Sequence, residues 1–171
     1  VPTSTNSVNI EYNELDMFTL LPTHAKVYEY WLASYANIDR ANTVLGSLDV
    51  VSDEATRNQY EAECRFIRAY HYFNLVRLFG PLFITTENIW PEEAKTKDRS
   101  PLEDVYEQII TDLKAADTDA LPEKWNNANL GRVSRLAAKG LLAKVYLTLG
   151  NLKDAKTLLL QVQSSGKHRL L

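Results

Sequence analysis

Residues that could carry catalytic or metal chemistry are few in this sequence and stand far apart. The three histidines are His24, His71 and His168, and none lies in an H-E-x-x-H or comparable ligand pattern. We therefore predict neither a metal site nor a bound cofactor. His71 lies in an aromatic stretch, where a hydrogen-bonded structural histidine is favoured over a ligand or general base. The single cysteine, Cys64, excludes an intramolecular disulfide, and a packing role is favoured because no His/Asn partner segment for a nucleophile is evident.

Acidic residues are so numerous that their presence says nothing about catalysis. Glycosidases need two carboxylates at a set separation across a sugar, and among 22 acidic residues some pair could always be proposed. The sequence contains no G-x-S-x-G motif, phosphate-cradling glycine loop or dinucleotide fingerprint. We therefore predict that the chain is not an enzyme. An enzymatic function is kept only as the alternative to a binding function.

Aromatic residues beside amides and carboxylates offer a different chemistry, the binding of sugars. Aromatic rings stack on the apolar faces of pyranoses, while amides and carboxylates fix the hydroxyl groups. Trp90 lies near Asn88, and Trp125 is followed by three asparagines within four residues. The alternative is that each ring only plugs a loop onto a helix. The candidate ligand-binding residues are Trp90, Trp125, Tyr12 and Phe18.

Two arginines fall in a segment that is apolar on most sides. A buried guanidinium carries a large desolvation penalty unless it is paired. Glu61 precedes Arg65 by four residues, which favours an ion pair on one helix face. We therefore predict structural pairing for Arg65 and Arg68, rather than a ligand role, and leave both out of the binding site.

Charge is unevenly distributed along the chain. The formal net charge is −3, yet residues 132–171 hold eight Lys/Arg and one acidic residue. These cations lie at helical spacing among leucines and alanines, without a continuous cluster, so we predict an internally compensated, solvated face and no nucleic-acid site. No apolar run approaches the ~20 residues that span a bilayer, which predicts no transmembrane helix.

Apolar periodicity predicts an all-α fold. One stripe gives a helix from about Thr23 to Gly46 with Thr23 as N-cap, and a central helix should run from Asp53 to Phe79. Ser100-Pro101-Leu102-Glu103 is typical of a capping box with proline at the first helical position. We expect the helix that it opens to end at Leu121-Pro122.

The C-terminal part of the sequence is predicted to form a helical hairpin. Ser134 can cap a helix to Leu149, and Asn151 can cap another to about Gln163. Residues in this hairpin occupy the spacing that tetratricopeptide (TPR) units use, although the chain lacks a regular 34-residue period. The fold class is therefore all-α, with irregular TPR-like helical hairpins and long connecting loops at 81–99 and 118–132, which hold Trp90 and Trp125.

Five motifs in order give a family resemblance that covers roughly residues 18 to 166. They are Trp31-x3-Tyr35-x2-Ile38-x2-Ala41-Asn42, the run Glu61 to Val76, Phe79-Gly80-Pro81-Leu82, Arg99-Ser100 leading to Asp112-Leu113, and Gly131-Arg132-Val133-Ser134 leading to Tyr146-Leu147. Together they resemble the signatures of SusD/RagB-type nutrient-binding lipoproteins. Cys64 departs from the pattern, since a smaller residue is common there.

The resemblance implies that residues 1–171 form a single TPR-like helical domain, the N-terminal portion of a larger protein. It further implies a Bacteroidetes outer-membrane lipoprotein that captures oligosaccharide at the cell surface and serves a SusC-like TonB-dependent transporter. Membrane contact would be made only through a lipid anchor outside these residues. A generic TPR-like adaptor that binds a protein or peptide partner is the alternative. The family's ligand contacts vary with the glycan, so none is transferred.

Overall fold

The structure, a computed structural model, describes residues 14, 16–19, 21 and 23–168. The candidate Tyr12 lies outside the described residues. Between residues 23 and 168 the helices are α1 (Ala25–Leu45), α2 (Glu54–Phe79), α3 (Pro91–Ala94), α4 (Leu102–Ala116), α5 (Arg135–Thr148) and α6 (Leu152–Ser164). The described ranges contain no named β-strand, and Leu82 and Ser100 form an isolated antiparallel bridge. The prediction of an all-α fold is confirmed.

The N-terminal caps of α1 and α2 show how far local sequence determines a helix start. Helix α2 starts where predicted, with Asp53 as its N-cap: Asp53 Oδ2 accepts a hydrogen bond from the backbone N–H of Thr56 at 2.8 Å. Hydrogen bonding from the Thr56 side chain and backbone lowers the pKa of Asp53. At α1 the predicted cap, Thr23, is wrong. The N-cap is His24, whose Nδ1 accepts from the backbone N–H of Lys26 at 3.2 Å.

The predicted capping box at the start of α4 is also wrong. The N-cap position belongs to Pro101, and no side chain caps this end. Ser100 is instead drawn into the β-bridge, where its backbone N–H donates to Leu82 O at 2.6 Å. A tertiary backbone contact has therefore displaced the serine by one residue from the position that a capping box needs. The helix ends at Ala116, before the predicted stop at Leu121-Pro122.

Helix α2 is the centre of the domain, as its sequence predicted. It packs against α1 on one side and α4 on the other, while α4 contacts α5 and α5 pairs with α6. The core is made of apolar side chains from these helices, with Leu82 from the following loop. The largest of its buried members are Ile38, Tyr72, Phe73, Leu75, Leu82, Ile109 and Leu113.

The C-terminal hairpin agrees with prediction in both caps. Ser134 Oγ accepts from Ala137 N at 3.2 Å, and Asn151 Oδ1 accepts from Asp154 N at 3.4 Å. Between the helices Gly150 has a φ of 76°, a backbone conformation that glycine adopts without a steric penalty. Within the described ranges, no helix is long and apolar enough to cross a membrane.

Three of the eight basic residues of the C-terminal part, Arg132, Arg135 and Lys139, pair with acidic residues earlier in the chain. Arg135 pairs with Asp117 at 2.9 Å and also with Asp119, and Lys139 Nζ lies 2.8 Å from Asp117 Oδ2. These pairs tie α5 to the end of α4. For these three residues the structure agrees with the prediction of an internally compensated face.

Candidate functional site

An open cleft lies between α1 and the loop that follows α2. Its volume is about 640 Å³. The residues used below, all in its lining, are Leu32, Tyr35, Asp39, Phe83, Asn88 and Trp90. Trp90 stands at the edge with 81% of its surface exposed, so its ring is available to a ligand. The sequence analysis identified Trp90 as a candidate ligand-binding residue. It did not identify the residues of α1 that form the opposite wall of the cleft.

The apolar floor of the cleft is a cluster of packed aromatic rings. Tyr35 and Phe83 stack with centroids 4.2 Å apart and planes at 11°, and the Tyr35 hydroxyl donates to Phe83 O at 3.0 Å. Trp31 packs beside Tyr35 at 4.8 Å. Burial raises the pKa of Tyr35, so its hydroxyl stays neutral and keeps this bond. The floor is therefore a fixed, flat surface.

The polar rim of the cleft joins the loop to α1. Asn88 Nδ2 donates to Thr43 Oγ1 at 2.8 Å and to Asp39 Oδ1 at 3.2 Å. Asp39 is exposed and lines the cleft beside Asn88. A carboxylate has two oxygens with about four acceptor sites, so Asp39 retains capacity to accept hydrogen bonds from ligand hydroxyls. The rim thus combines an acceptor with an exposed aromatic ring.

A buried ion pair lies behind residues 83–88, the loop segment that forms one wall of the cleft, hereafter the loop wall. Arg68 is 3% exposed and Asp112 is fully buried. The guanidinium binds the carboxylate through two of its three nitrogens, Nε to Oδ2 at 2.8 Å and Nη2 to Oδ1 at 2.7 Å. Arg65 pairs with Glu61 at 2.8 Å and approaches Asp112 Oδ1 at 3.4 Å. The predicted structural pairing of both arginines is confirmed, but Asp112 was missed because it lies 44 residues from Arg68.

Trp125 lies in a second, smaller hollow of about 520 Å³. The ring is half-buried, and its Nε1–H donates to Val133 O at 2.6 Å. The guanidinium carbon of Arg132 lies 5.1 Å from the ring centroid, and that guanidinium is held by Glu63 through bonds of 3.0 and 2.9 Å. Lys124 and other polar residues line the remaining opening. Trp125 therefore packs within its own loop, and it is Arg132 that links this loop to α2 through Glu63.

The remaining candidates are not brought to either hollow. The two tryptophans line separate hollows that share no lining residue, and Phe18 lines neither. Phe18 is 93% exposed and has a φ of 55°, which is unusual for a bulky residue. Tyr12 is outside the described residues.

Cys64 and His71 were both predicted to have structural roles, and the structure agrees with the prediction for Cys64 but only in part for His71. Cys64 is partly buried and burial raises the pKa of its thiol, which agrees with packing. His71 was expected to be hydrogen-bonded, and this was wrong for Nδ1, which is buried without a partner among the described residues. Burial lowers the pKa of His71. No group of three or more potential metal-binding side chains occurs in the part of the chain that the structure describes.

Comparisons with known proteins converge on one family. The SusD-like family model, described as starch-binding and associating with the outer membrane, matches residues 2–147. SusD-like protein P2 of Formosa agariphila is 33% identical over 144 residues, which are 83% of this chain and 28% of that protein. A laminarin-binding SusD-like protein of known structure is 35% identical with a TM-score of 0.84, over 91% of this chain and 34% of that one.

A further solved structure contains a xylogluco-oligosaccharide. It is 28% identical to this chain with a TM-score of 0.82, over 94% of this chain and 34% of that one. The chain therefore spans about a third of the length of the relatives that it matches.

Proposed function

This chain belongs to the SusD-like family, and from that premise we propose that it is the TPR-like helical part of a protein that captures oligosaccharides at the outer membrane. Residues 1–171 would form one domain of that longer protein. The observation that carries the proposal is the cleft beside Trp90, which combines an exposed ring, an aromatic floor and polar groups at its rim. The matches to a laminarin-binding protein and to a structure with a xylogluco-oligosaccharide favour this function over a peptide-binding adaptor.

In the proposed complex, Trp90 stacks on the apolar face of one sugar ring. Stacking of this kind is commonly worth on the order of 1 kcal/mol beyond the area buried. Asp39 and Asn88 would hydrogen-bond the hydroxyls at the edge of the same ring, and the surface of Tyr35 and Phe83 would receive a neighbouring sugar. Because the floor is already packed, little ordering cost is paid on binding. Asp39 favours neutral glycans, since an anionic sugar would meet a like charge.

The other three candidates would make lesser contacts. Trp125 offers only the part of its ring that Arg132 and Val133 leave accessible. Tyr12 and Phe18 precede α1, and we keep both as contacts to a longer glycan. No contact to sugar by these three residues is needed for the Trp90 cleft to bind.

We further propose that the protein is held at the cell surface by a lipid anchor outside these residues and delivers its ligand to a SusC-like TonB-dependent transporter. The family's association with the outer membrane supports this location. Affinity purification of the tagged full-length protein from outer membranes should recover a TonB-dependent transporter. Recovery of the protein alone, at native expression, would contradict this partner.

The proposed function is capture without hydrolysis. Purified full-length protein should be titrated by calorimetry with laminarin and xyloglucan oligosaccharides, alongside neutral and anionic controls. The same mixtures should then be separated by chromatography after prolonged incubation. We expect saturable binding of at least one neutral glycan and no shortened product. Product formation at a rate proportional to protein would overturn capture, and absence of binding across the panel would overturn glycan recognition.

A further inference from the structure

The loop wall of the Trp90 cleft has an unusual support. The structure describes no strand in or beside the segment 83–88, and the one isolated β-bridge that it describes, between Leu82 and Ser100, comes just before this segment. Buried carbonyls of a segment that belongs to neither a helix nor a sheet must find other hydrogen-bond donors. Here the carbonyls of residues 85, 86 and 87 each accept a hydrogen bond from a side chain of α1 or α2. The position of the wall is therefore set by side chains.

Asn42 supplies two of these bonds from α1. Its Nδ2 donates to Thr85 O at 3.2 Å and to Glu87 O at 3.1 Å. The side chain is 1% exposed, so water cannot replace either bond without opening the structure. An amide nitrogen has two hydrogens, and both are used on the same stretch of loop.

The orientation of the Asn42 amide is fixed by Arg68. Arg68 Nη1 donates to Asn42 Oδ1 at 2.8 Å, so the oxygen faces the guanidinium and the nitrogen faces the loop. The same Nη1 donates to Thr86 O at 3.1 Å. Arg68 is itself held by both oxygens of Asp112. A chain of buried bonds thus runs from α4 through α2 and α1 to the loop.

The two ends of the wall depend on Asn42 to different degrees. At Thr85, the Tyr72 hydroxyl also accepts from the backbone N–H at 2.8 Å and donates to the carbonyl at 3.1 Å. At Glu87, the only other described donor is Thr85 Oγ1, at 2.6 Å and on the loop itself. Asn42 is therefore the one described link from the helices to Glu87 O, directly before Asn88 and the segment that leads to Trp90.

We propose that Asn42 is a positioning residue of the cleft, which holds Asn88 and Trp90 in the geometry that receives a ligand without touching the ligand itself. This inference rests on the proposed function of the cleft. It assigns a specific task to a buried polar residue that packing alone does not require.

The test compares Asn42→Asp with Asn37→Asp in the full-length protein. Aspartate at 42 can still accept from Arg68 but cannot donate to either loop carbonyl. Asn37 is on the same helix and accepts from Arg40 through Oδ1 at 2.9 Å, a bond that aspartate retains, so it controls for the added charge. Thr85→Val is a second variant, which removes the hydroxyl donor to Glu87 O and leaves the ion pair untouched.

Hydrogen exchange and glycan affinity are measured on each variant. In Asn42→Asp we expect about tenfold faster exchange in residues 84–90, unchanged exchange in α2 and α4, and about tenfold weaker binding, since one well-made buried hydrogen bond corresponds to a factor of this order. Thr85→Val should also speed exchange in residues 84–90 and weaken glycan binding, but by smaller factors. Asn37→Asp should change neither the exchange nor the affinity. If Asn42→Asp does not fold, Thr85→Val decides alone.

Faster exchange with unchanged affinity would overturn the positioning role, and so would weaker affinity with unchanged exchange in residues 84–90. Lack of binding by the wild type would overturn the proposed function instead. In that case, hydrogen exchange in residues 84–90 of Asn42→Asp still shows whether Asn42 holds the loop wall in place.

Discussion

Trp90 and Trp125 occupy similar settings in the sequence, each in a long loop beside polar residues, yet the structure surrounds them differently. Trp90 is 81% exposed at the edge of a cleft whose opposite wall is a helix. Trp125 is half-buried, bonded to Val133 O and covered by Arg132. In the first loop the backbone is anchored and the ring is left accessible. In the second loop the ring is half-buried and bonded within the loop itself, so the two tryptophans should respond oppositely to substitution.

The largest effect should come from the buried pair behind the Trp90 wall. Arg68→Met leaves Asp112 buried without its main partner, and we expect a loss of roughly 3 kcal/mol in the free energy of unfolding. Arg65→Met is the matched control, because its side chain is 29% exposed and its pairing is partly screened, so the loss should be about 1 kcal/mol or less. Chemical denaturation of the full-length protein measures both. Equal losses would show that the anchor of the Trp90 wall is not centred on Arg68.

A second test exchanges the roles of the tryptophans. Trp125→Ala removes a half-buried ring and leaves Val133 O without its donor, so we expect a loss of about 2 kcal/mol in the free energy of unfolding. Trp90→Ala removes an exposed ring, and the loss should be within about 0.5 kcal/mol. Thermal and chemical unfolding give the two values. A larger loss for Trp90 than for Trp125 would reverse the contrast between the loops.

A smaller effect is expected from the groups that cover Trp125. Arg132→Lys keeps the charge but loses the bidentate contact to Glu63 and the flat guanidinium over the ring. Because Arg132 is at the surface, the cost in stability should be about 0.5 kcal/mol. The sharper readout is Trp125 fluorescence quenching by acrylamide in a variant that lacks the other tryptophans, where access should increase. Unchanged quenching would show that Arg132 does not shield the ring.

All the helices given above except α3 followed from the sequence because their signals are local. Helix α3 (Pro91–Ala94) lies in the stretch 81–99, which was predicted to be a loop. Ser134 and Asn151 cap helices as predicted, and Asp53 caps α2 at its predicted start, since each needs only a side-chain oxygen near the first turn. The two failed caps have a different cause. At Ser100 the backbone is committed to Leu82, and at α1 the cap is one residue later, on His24. Neither choice can be inferred from a short window of sequence.

The candidate site was predictable only on its loop side. Trp90 and Asn88 are two residues apart in a long loop, and that proximity was visible in the sequence. Leu32, Tyr35 and Asp39 lie about 50 residues earlier, on a helix whose apolar spacing also describes an ordinary core face. Identifying them as a wall of the cleft requires knowing which face of α1 the loop crosses.

The central claim is that the Trp90 cleft binds neutral oligosaccharide, and the direct test is a calorimetric titration of wild type, Trp90→Ala and Trp125→Ala in the full-length protein. We expect Trp90→Ala to weaken binding at least about fivefold, as a lost stacking contact of ~1 kcal/mol implies. Trp125→Ala should leave the affinity of the folded fraction within about twofold. Equal affinity of wild type and Trp90→Ala for every bound glycan would contradict the account.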